Sequence, residues 1–255
     1  MNDNITYTER QLNELFEAIF KGGISPSTLP EPLYIATLAI LSDAVARGFG
    51  VIDITDEIED LFLHFDRNIA VFSAAKTHQQ VVDMSSKIFD SKGIKRSFSD
   101  FKKDAGKIFD EYNKNWLKTE YRTASNVSFG ARQYLDLQAD KDIAPLWKYV
   151  TAGDERVRQE HDELDGVVKH ADDPFWDTYF PPNDWNCRCD VEAHDEDEET
   201  ITENDNFTPP STLFNFNPAK DKIIFDPNAH PYFNVADRYE VLKGNDFNLP
   251  LPDEV

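Results

Sequence analysis

Apolar residues recur at helical spacing through most of the N-terminal half of the chain. Residues 8–20 put five of them on one helical face: Leu12, Leu15, Phe16, Ile19 and Phe20. Thr8 and Gln11 stand at the spacing of a capping box ahead of this face, and a glycine pair at 22–23 follows it. The pattern therefore predicts a first helix that ends before the glycine pair.

Three more helical patterns follow. A Pro-rich connector at 25–32 leads into the apolar positions of a second helix: Tyr34, Leu38, Leu41 and Val45. A third set comes next: Ile58, Leu61, Phe62, Phe65, Ile69 and Phe72. From about Ser97 to about Gln138 apolar residues again recur at helical spacing without a proline. At about 1.5 Å per residue this stretch would form a rod of roughly 60 Å, while shorter helices broken near Gly106 and Gly130 fit equally well.

The pattern changes at Ala139, where prolines, aromatic residues and turn dipeptides accumulate. LWKYVT and GVVKH predict short strands, and DERVRQEHDEL predicts a helix between them that ends at the Asp165-Gly166 turn. We therefore expect an α+β fold, with a long-helix N-terminal half followed by a small α+β module with short strands. The expected regions are an N-terminal helical region (1–96), a long helix or helices (97–138), an α+β core (139–192), and an acidic linker with a C-terminal tail (193–255).

Charge is distributed unevenly along the chain. The formal net charge of −22 opposes general binding to nucleic-acid phosphates. Residues 87–122 differ, because they contain ten Lys or Arg and only six Asp or Glu. They predict a basic stripe that binds an acidic partner or DNA. Residues 190–205 hold nine acidic residues and no Lys or Arg. Such a run is typical of a solvated loop, and a cation or partner site is the alternative.

The chain has only two cysteines, and they stand one residue apart. This spacing closes too small a ring for an easy disulfide and supplies no disulfide framework, so we expect a reducing compartment. The N-terminal residues lack the basic and apolar regions of a signal peptide. No run of roughly 18 apolar residues is present, so we expect a soluble protein with no membrane partner.

His161, Cys187 and Cys189 are the candidate metal ligands. In the predicted helix His161 shares a face with Val157 and Leu164, so its imidazole points toward the core. Thiolate and imidazole are zinc ligands, and a tetrahedral site would need a fourth. The candidates for it are Asp165, His170, Asp177 and His194. The alternative is that both cysteines are packing residues, with Arg188 facing outward or paired with a carboxylate.

An enzyme is the less favoured class. A Cys-His pair with polar neighbours, among them Asp154, Arg156 and Arg158, is compatible with nucleophilic catalysis or with a metal-dependent enzyme. The sequence contains no phosphate-binding Gly-rich loop, no G-x-S-x-G and no H-E-x-x-H. We therefore expect a protein without catalytic turnover.

Three runs together resemble a known family. They are YRTASNVSFGARQY, YVTAGDERVRQEHDELDG and DDPFWDTYFPPNDWNCRC, and their order and content are similar to the signature of the phage Mu F-like head morphogenesis family. The resemblance covers roughly residues 115–192 and, more loosely, the tail FNFNPAKDKIIFDPNAHPYF. Related members often carry a cysteine at the position of His161 and a histidine just before C-R-C, where this chain has Trp185-Asn186.

The resemblance implies a minor head protein of a tailed phage or prophage. Such a protein acts in procapsid morphogenesis or genome delivery near the portal, with portal, scaffold or major capsid protein as partner. It would occupy the host cytoplasm during assembly and then the virion, in the capsid interior or beside the portal. The motif positions carried over besides the three candidate ligands are Arg122, Thr123, Asp154, Arg156, Arg158, Leu164, Gly166, Pro181, Pro182, Trp185 and Arg188.

These motif residues are expected to hold the module together. Gly166 would adopt a positive φ at its turn, and Pro181-Pro182 would keep the approach to the cysteines extended. The prolines and tryptophans of PPNDWNCRC would close as a latch over the helix that carries His161.

Overall fold

A computed structural model describes residues 5–25, 28–50, 55–194, 201–204 and 206–234. The longer helices are α1 (Glu9–Lys21), α2 (Glu31–Phe49), α3 (Asp56–Ser85), α4 (Phe98–Asp110) and α5 (Leu117–Ala139). The strands are β1 (Leu146–Val150), β2 (Val168–His170) and β3 (Asp190–His194). Short helices complete the described chain: α6 (Gln159–Asp162), α7 (Phe175–Tyr179), α8 (Pro218–Asp221) and a 3-10 turn (Pro231–Phe233).

The α+β prediction is confirmed, with helices in the N-terminal half and a three-stranded sheet after them. The chain forms two compact units. The first contains the described residues of 1–43, 66–121 and 230–255, and the second contains those of 44–65 and 122–229. The predicted region boundaries stay a prediction.

The helix predictions for residues 8–138 agree with the structure. The capping box of α1 forms, since the Gln11 N–H donates to the Thr8 hydroxyl and the Thr8 N–H donates to the Gln11 side chain. From Phe98 to Ala139 the chain is helical without a break at either glycine. A π-helical turn, Glu111–Trp116, joins α4 to α5 and adjusts the phase of the helix between them.

The first unit packs α1 against α4 through aromatic rings. The Phe16 ring packs edge to face on Phe101 and Phe109, each with 6.4 Å between ring centroids. The ring centroids of Phe20 and Phe98 are 5.5 Å apart. These rings occupy the apolar faces that the sequence pattern placed on the two helices. Burial of aromatic side chains therefore joins the two helices.

A buried ion pair lies in the first unit. Lys76 on α3 and Glu120 on α5 are almost fully buried, and 2.5 Å separates the Lys76 Nζ atom from the Glu120 Oε2 atom. Burial raises the pKa of Glu120 and lowers that of Lys76, while the ion pair opposes both changes. The Tyr232 hydroxyl donates to the second Glu120 oxygen at 3.1 Å, and the Phe72 ring packs against both Tyr232 and His230. The segment after residue 229 thus covers the pair.

The second unit contains an antiparallel sheet with strand order β2-β1-β3. Both predicted strands form, and β1 pairs with β2 from Leu146 opposite His170. The acidic run was expected to be a loop, but its first five residues form β3, with Tyr149 opposite Val191. That prediction is wrong for 190–194 because Val191 is buried against the sheet and its neighbours are exposed. Residues 195–200 and 205 of the run lie outside the described residues.

The predicted helix at 154–164 is also wrong in extent. Only α6 is helical, and Arg158 before it has an extended backbone. Asp154 accepts the Arg156 N–H at 3.0 Å, a local bond that competes with helix formation. His161 is buried, as predicted, although on a single helical turn.

One face of α5 holds the loop that carries the cysteines. Asn126, Gly130 and Gln133 recur at helical spacing along it. Asn126 donates to the Cys187 carbonyl at 3.0 Å, and Gln133 donates to the Val191 carbonyl at 2.9 Å. Between them a Cβ on Gly130 would lie 2.5 Å from the Pro181 carbonyl oxygen. This face therefore requires glycine at its centre.

Pro181 and Pro182 do not continue an extended approach. The chain bends at 180–181 and the peptide bond between the two prolines is cis, so the expectation of an extended run is wrong. Trp185 packs edge to face on Phe214 at 5.2 Å. The Trp185 ring therefore packs on the segment after the acidic run.

By length and apolar composition, α2 is the one helix among the described residues that is able to span a bilayer. Buried core helices meet the same criteria, and Leu33, Leu41 and Ala44 of this helix are fully buried in the protein.

Two glycines of the same helical segment give a matched test of the α5 face. Gly130→Ala is expected to cost about 2–3 kcal/mol of unfolding free energy, because its methyl group meets a backbone oxygen that packing holds in place. Gly106→Ala is the control, since nothing lies within 4 Å of its Cβ, and it should stabilise by about 0.5–1 kcal/mol. Urea denaturation followed by circular dichroism measures both, and equal effects would contradict the close approach.

His230 gives the first unit a pH dependence. Burial, and then the charge of Lys76, lower the pKa of His230 from 6.5 to about 4. Below about pH 6.5 the unfolded chain therefore binds a proton at His230 that the folded chain does not bind. The contribution of His230 to the free energy of unfolding is fully present above that pH and decreases by about 2–3 kcal/mol as the pH falls to 4.

The matched variant is His230→Asn, which removes the titrating group and keeps an acceptor for the Tyr232 N–H. We expect the wild type to lose more unfolding free energy between pH 7 and pH 5 than the variant does. Denaturant titrations at the two pH values measure the difference, and identical pH slopes would show that His230 is not the group responsible.

Candidate metal centre

A tight turn positions the two cysteines. The Cys187 N–H donates to the Asp184 carbonyl at 3.1 Å. Asn186, just before Cys187, has a φ of 56°, a conformation that asparagine tolerates better than most residues. Cys189 then leads directly into β3. The cysteine loop is thus held by its own turn and by the sheet, and the Asn126 side chain holds the Cys187 carbonyl from α5.

Two arginines connect the loop to the segment that carries His161. Arg188 makes two parallel hydrogen bonds to the Asp154 carboxylate, at 2.9 and 2.6 Å. Arg158, three residues before His161, donates to the Trp185 carbonyl at 2.9 Å. The alternative in which Arg188 pairs with a carboxylate is therefore the one the structure contains.

The structure brings the three candidate ligands together. The His161 Nδ1 atom lies 3.8 Å from the Cys187 sulfur and 3.5 Å from the Cys189 sulfur, and all three ligand atoms lie within 4.8 Å of one another. A tetrahedral zinc with ordinary bond lengths separates its sulfur and nitrogen ligands by about 3.5 Å. The donor atoms and their separations therefore fit zinc.

Both thiols are free. A hydrogen bond from Cys189 lowers the pKa of Cys187, and the bond with His161 acts in the same direction. The same Cys189–Cys187 bond, followed by burial, raises the pKa of Cys189. The two opposite shifts follow from one bond, in which one sulfur is favoured as a thiolate and the other as a thiol.

None of the predicted fourth ligands joins this cluster. Among the described residues the group of histidine, cysteine and acidic side chains consists of the three alone. Asp165 accepts the Thr151 N–H at 2.7 Å, and Asp177 pairs with a lysine. His170 is exposed and His194 ends β3. The fourth position of a bound metal is thus left to water or to a donor of another type.

The family-motif residues divide into packing, polar and exposed positions. Leu164, Pro181 and Pro182 are buried. Gly166 has a φ of 78°, as predicted, and its N–H donates to the Tyr149 carbonyl. Thr123 is buried on α5, whereas Arg122 beside it is exposed. Asp154 accepts hydrogen bonds from Arg188 and Arg156, which hold its pKa well below the usual range.

Sequence reasoning missed the polar residues around the cysteines. Asn126 lies in one of the quoted motif runs but had no role there. Asn183 donates to the Tyr149 hydroxyl at 3.0 Å, and that hydroxyl also interacts with Cys189. Burial raises the pKa of Tyr149, and the cysteine charges add to the effect. Tyr149 follows the ordinary alternation of a strand, so no sequence signal distinguished it.

A cavity of about 240 Å³ opens beside His161. Its walls include Glu160, Glu163 and Asn183, together with prolines 209 and 210. Neither cysteine lines it. The cavity therefore borders the cluster only through the histidine.

Comparison with known proteins gives a consistent result. The family model described as "Phage Mu protein F like protein" matches residues 38–192. The Mu-like prophage FluMu F protein of Haemophilus influenzae is 44% identical over 80 residues, which are 31% of this chain and 19% of that protein. The putative capsid assembly protein F of Escherichia phage Mu is 43% identical over 77 residues, 30% of this chain and 18% of its own length.

The matched segments span less than a fifth of the length of these two relatives. No solved structure matches the chain significantly. The family model itself covers more than half of the chain, including the arginines, the Gly166 turn and the cysteine loop. The chain therefore belongs to the family of phage Mu protein F like proteins.

Proposed function

We propose that the protein is a structural component of a phage or prophage head that acts in capsid assembly near the portal. The observation that carries this proposal is the family match over residues 38–192, together with a relative named as a putative capsid assembly protein. The architecture of the motif supports it. Asp154, Arg158 and Arg188 bond to one another's segments, so they stabilise the module, and they do not line the cavity beside His161.

The proposed partners are the portal protein and a scaffold or major capsid protein. The protein would meet them in the host cytoplasm and remain in the virion, in the capsid interior or beside the portal. Packaged DNA is a further candidate at residues 87–122, where Lys103 and Lys107 are exposed. Asp104 pairs with Lys107 and Arg96, so part of this positive charge is already neutralised.

Particle composition tests the head proposal. Induced particles of the encoding phage should contain the chain at a few copies per portal, and deletion of its gene should reduce filled heads at least tenfold while portal and major capsid proteins are still made. Quantitative mass spectrometry of purified particles and electron microscopy measure these results. Absence of the chain from procapsids and virions alike would refute the proposal.

We further propose that His161, Cys187 and Cys189 hold a structural zinc ion. Their donor types and the 3.5 and 3.8 Å separations support it. Zinc bound there would neutralise the buried thiolates and connect α6 to the cysteine loop. Asn126 and Arg188 would keep the loop in position for the ligands through their bonds to Cys187 and Asp154.

Elemental analysis of protein purified without chelator or affinity-tag metal tests the zinc proposal. About one zinc per chain is expected, and a Cys187→Ser, Cys189→Ser variant should lose both the metal and several kcal/mol of stability. His170→Gln is the control, because it removes an exposed histidine outside the cluster. Zinc-free wild type with an equally stable double variant would leave the cysteines as packing residues.

A metal-dependent enzyme is the second candidate. It is favoured by a three-ligand donor set, which leaves a fourth position open, and by the cavity beside His161. The structural proposal expects Glu163→Gln to keep its zinc and the wild type to hydrolyse p-nitrophenyl acetate no faster than the double cysteine variant does. A zinc-dependent rate that Glu163→Gln abolishes would favour the enzyme.

A further inference from the structure

Residues 88–96 form a short hairpin between α3 and α4, called the finger below. Phe89 and Lys95 form an antiparallel bridge. Next to them the Asp90 N–H donates to the Ile94 carbonyl at 2.9 Å, and at the base the Arg96 N–H donates to the Ile88 carbonyl at 2.9 Å. The finger is therefore a defined structure of the first unit.

The finger is rigid at both ends. At its tip the Asp90 carboxylate accepts the N–H groups of Lys92 and Ile94, at 2.8 and 2.9 Å. At its base Arg96 pairs with Asp104 at 2.8 Å and donates to the Lys87 carbonyl. A surface element ordered in this way loses little entropy when it binds a partner.

Large apolar side chains are exposed on both faces of the finger. Phe89 is 53% exposed and Ile94 is 62% exposed. Phe89 stands opposite Lys95 and Ile94 opposite Asp90, so the two apolar side chains point to opposite faces of the hairpin. A flat surface can cover one of these faces, whereas a cleft that surrounds the tip covers both.

The charge of the finger indicates an acidic cleft. Lys87, Lys92 and Lys95 are exposed around it, and the carboxylate of Asp90 is engaged by backbone N–H groups. Duplex DNA would satisfy the lysines but would leave Phe89 and Ile94 in water. Lys95 already lies over the Phe20 ring at 4.5 Å, so Lys87 and Lys92 are the lysines left for a partner. A partner with an apolar floor and an acidic rim matches these lysines and the two exposed apolar side chains.

The second unit of the same chain contains such a cleft. It has a volume of about 350 Å³, and Leu61 and Leu135 contribute apolar walls. Glu57 and Asp60 line its rim, and the first turn of α3 adds further acidic residues, Asp56 and Glu59. Asp60 already pairs with Lys222, which leaves the Glu57 side of the rim to attract a cation.

We propose that the finger of one copy inserts into this acidic cleft of a second copy. The two surfaces differ, so the contact is head to tail. A chain of copies has one free finger at one end and one free cleft at the other until it closes into a ring. The contact is small, below about 1,000 Å², and therefore weak, with a dissociation constant in the micromolar range. It weakens at high salt because its lysine and carboxylate groups remain near solvent.

Analytical ultracentrifugation from about 1 to about 300 µM, a range that brackets micromolar affinity, tests the contact. The finger variant is Phe89→Ser with Ile94→Ser, and we expect at least tenfold weaker self-association. Ile143→Ser is the matched control, since it removes a surface isoleucine that is 87% exposed and lies outside the finger, and it should associate like the wild type. Circular dichroism checks that all variants are folded.

Complementation distinguishes head-to-tail pairing from other geometries. Glu57→Lys should weaken self-association by itself. The Glu57→Lys variant keeps an intact finger, and the finger variant keeps an intact cleft. A mixture of the two should therefore form heterodimers and no larger species. Restoration of dimers supports the proposal.

Three outcomes overturn it. They are a monomeric wild type over the whole range, self-association that the finger variant leaves unchanged, and a mixture that stays monomeric. Finger-dependent retention of a monomeric wild type on duplex DNA, or on vesicles of phosphatidylserine and phosphatidylcholine, would assign the finger to that partner instead. Head assembly and zinc binding are measured separately, so failure here leaves both of those proposals untouched.

Discussion

The approach of the Pro181 carbonyl to Gly130 is the constraint on which the second unit depends. A Cβ at position 130 would lie 2.5 Å from that oxygen, so only glycine lets the cysteine loop reach α5. Once the loop is there, Asn126 reaches the Cys187 carbonyl and Gln133 reaches β3. A contact between two backbones thus determines where the sulfur atoms lie.

The two units use charge in different ways. In the first, Lys76 and Glu120 are buried, and removal of one partner would leave an uncompensated charge in the core. In the second, Asp154 and Arg188 remain partly exposed and join two segments at the surface. The buried pair aligns α3 with α5. The exposed pair orients the cysteine loop, whose position is already determined by packing.

The polar residues around the cysteine loop bond mainly within the fold. Arg158 and Arg188 donate to the Trp185 carbonyl and the Asp154 carboxylate, and the cavity beside His161 has neither cysteine in its wall. A zinc ion at the three ligands would add a cross-link between α6 and the cysteine loop. The finger is the contrasting case, because Phe89, Ile94 and Lys92 are exposed on it. These features together suit a protein whose work is assembly.

The sequence by itself determined the long helices of the N-terminal half, two of the strands, the Gly166 turn and the identity of the three clustered residues. These depend on local periodicity, on turn chemistry and on residue type, which are all present in a short window. Tertiary structure decided the rest. Strand β3 forms within an acidic run because β1 offers it a partner, and the helix expected at 154–164 shortens because Asp154 bonds locally and to Arg188. The absence of the four predicted residues from the group formed by His161, Cys187 and Cys189 was likewise decided by distances between segments, which no local pattern encodes.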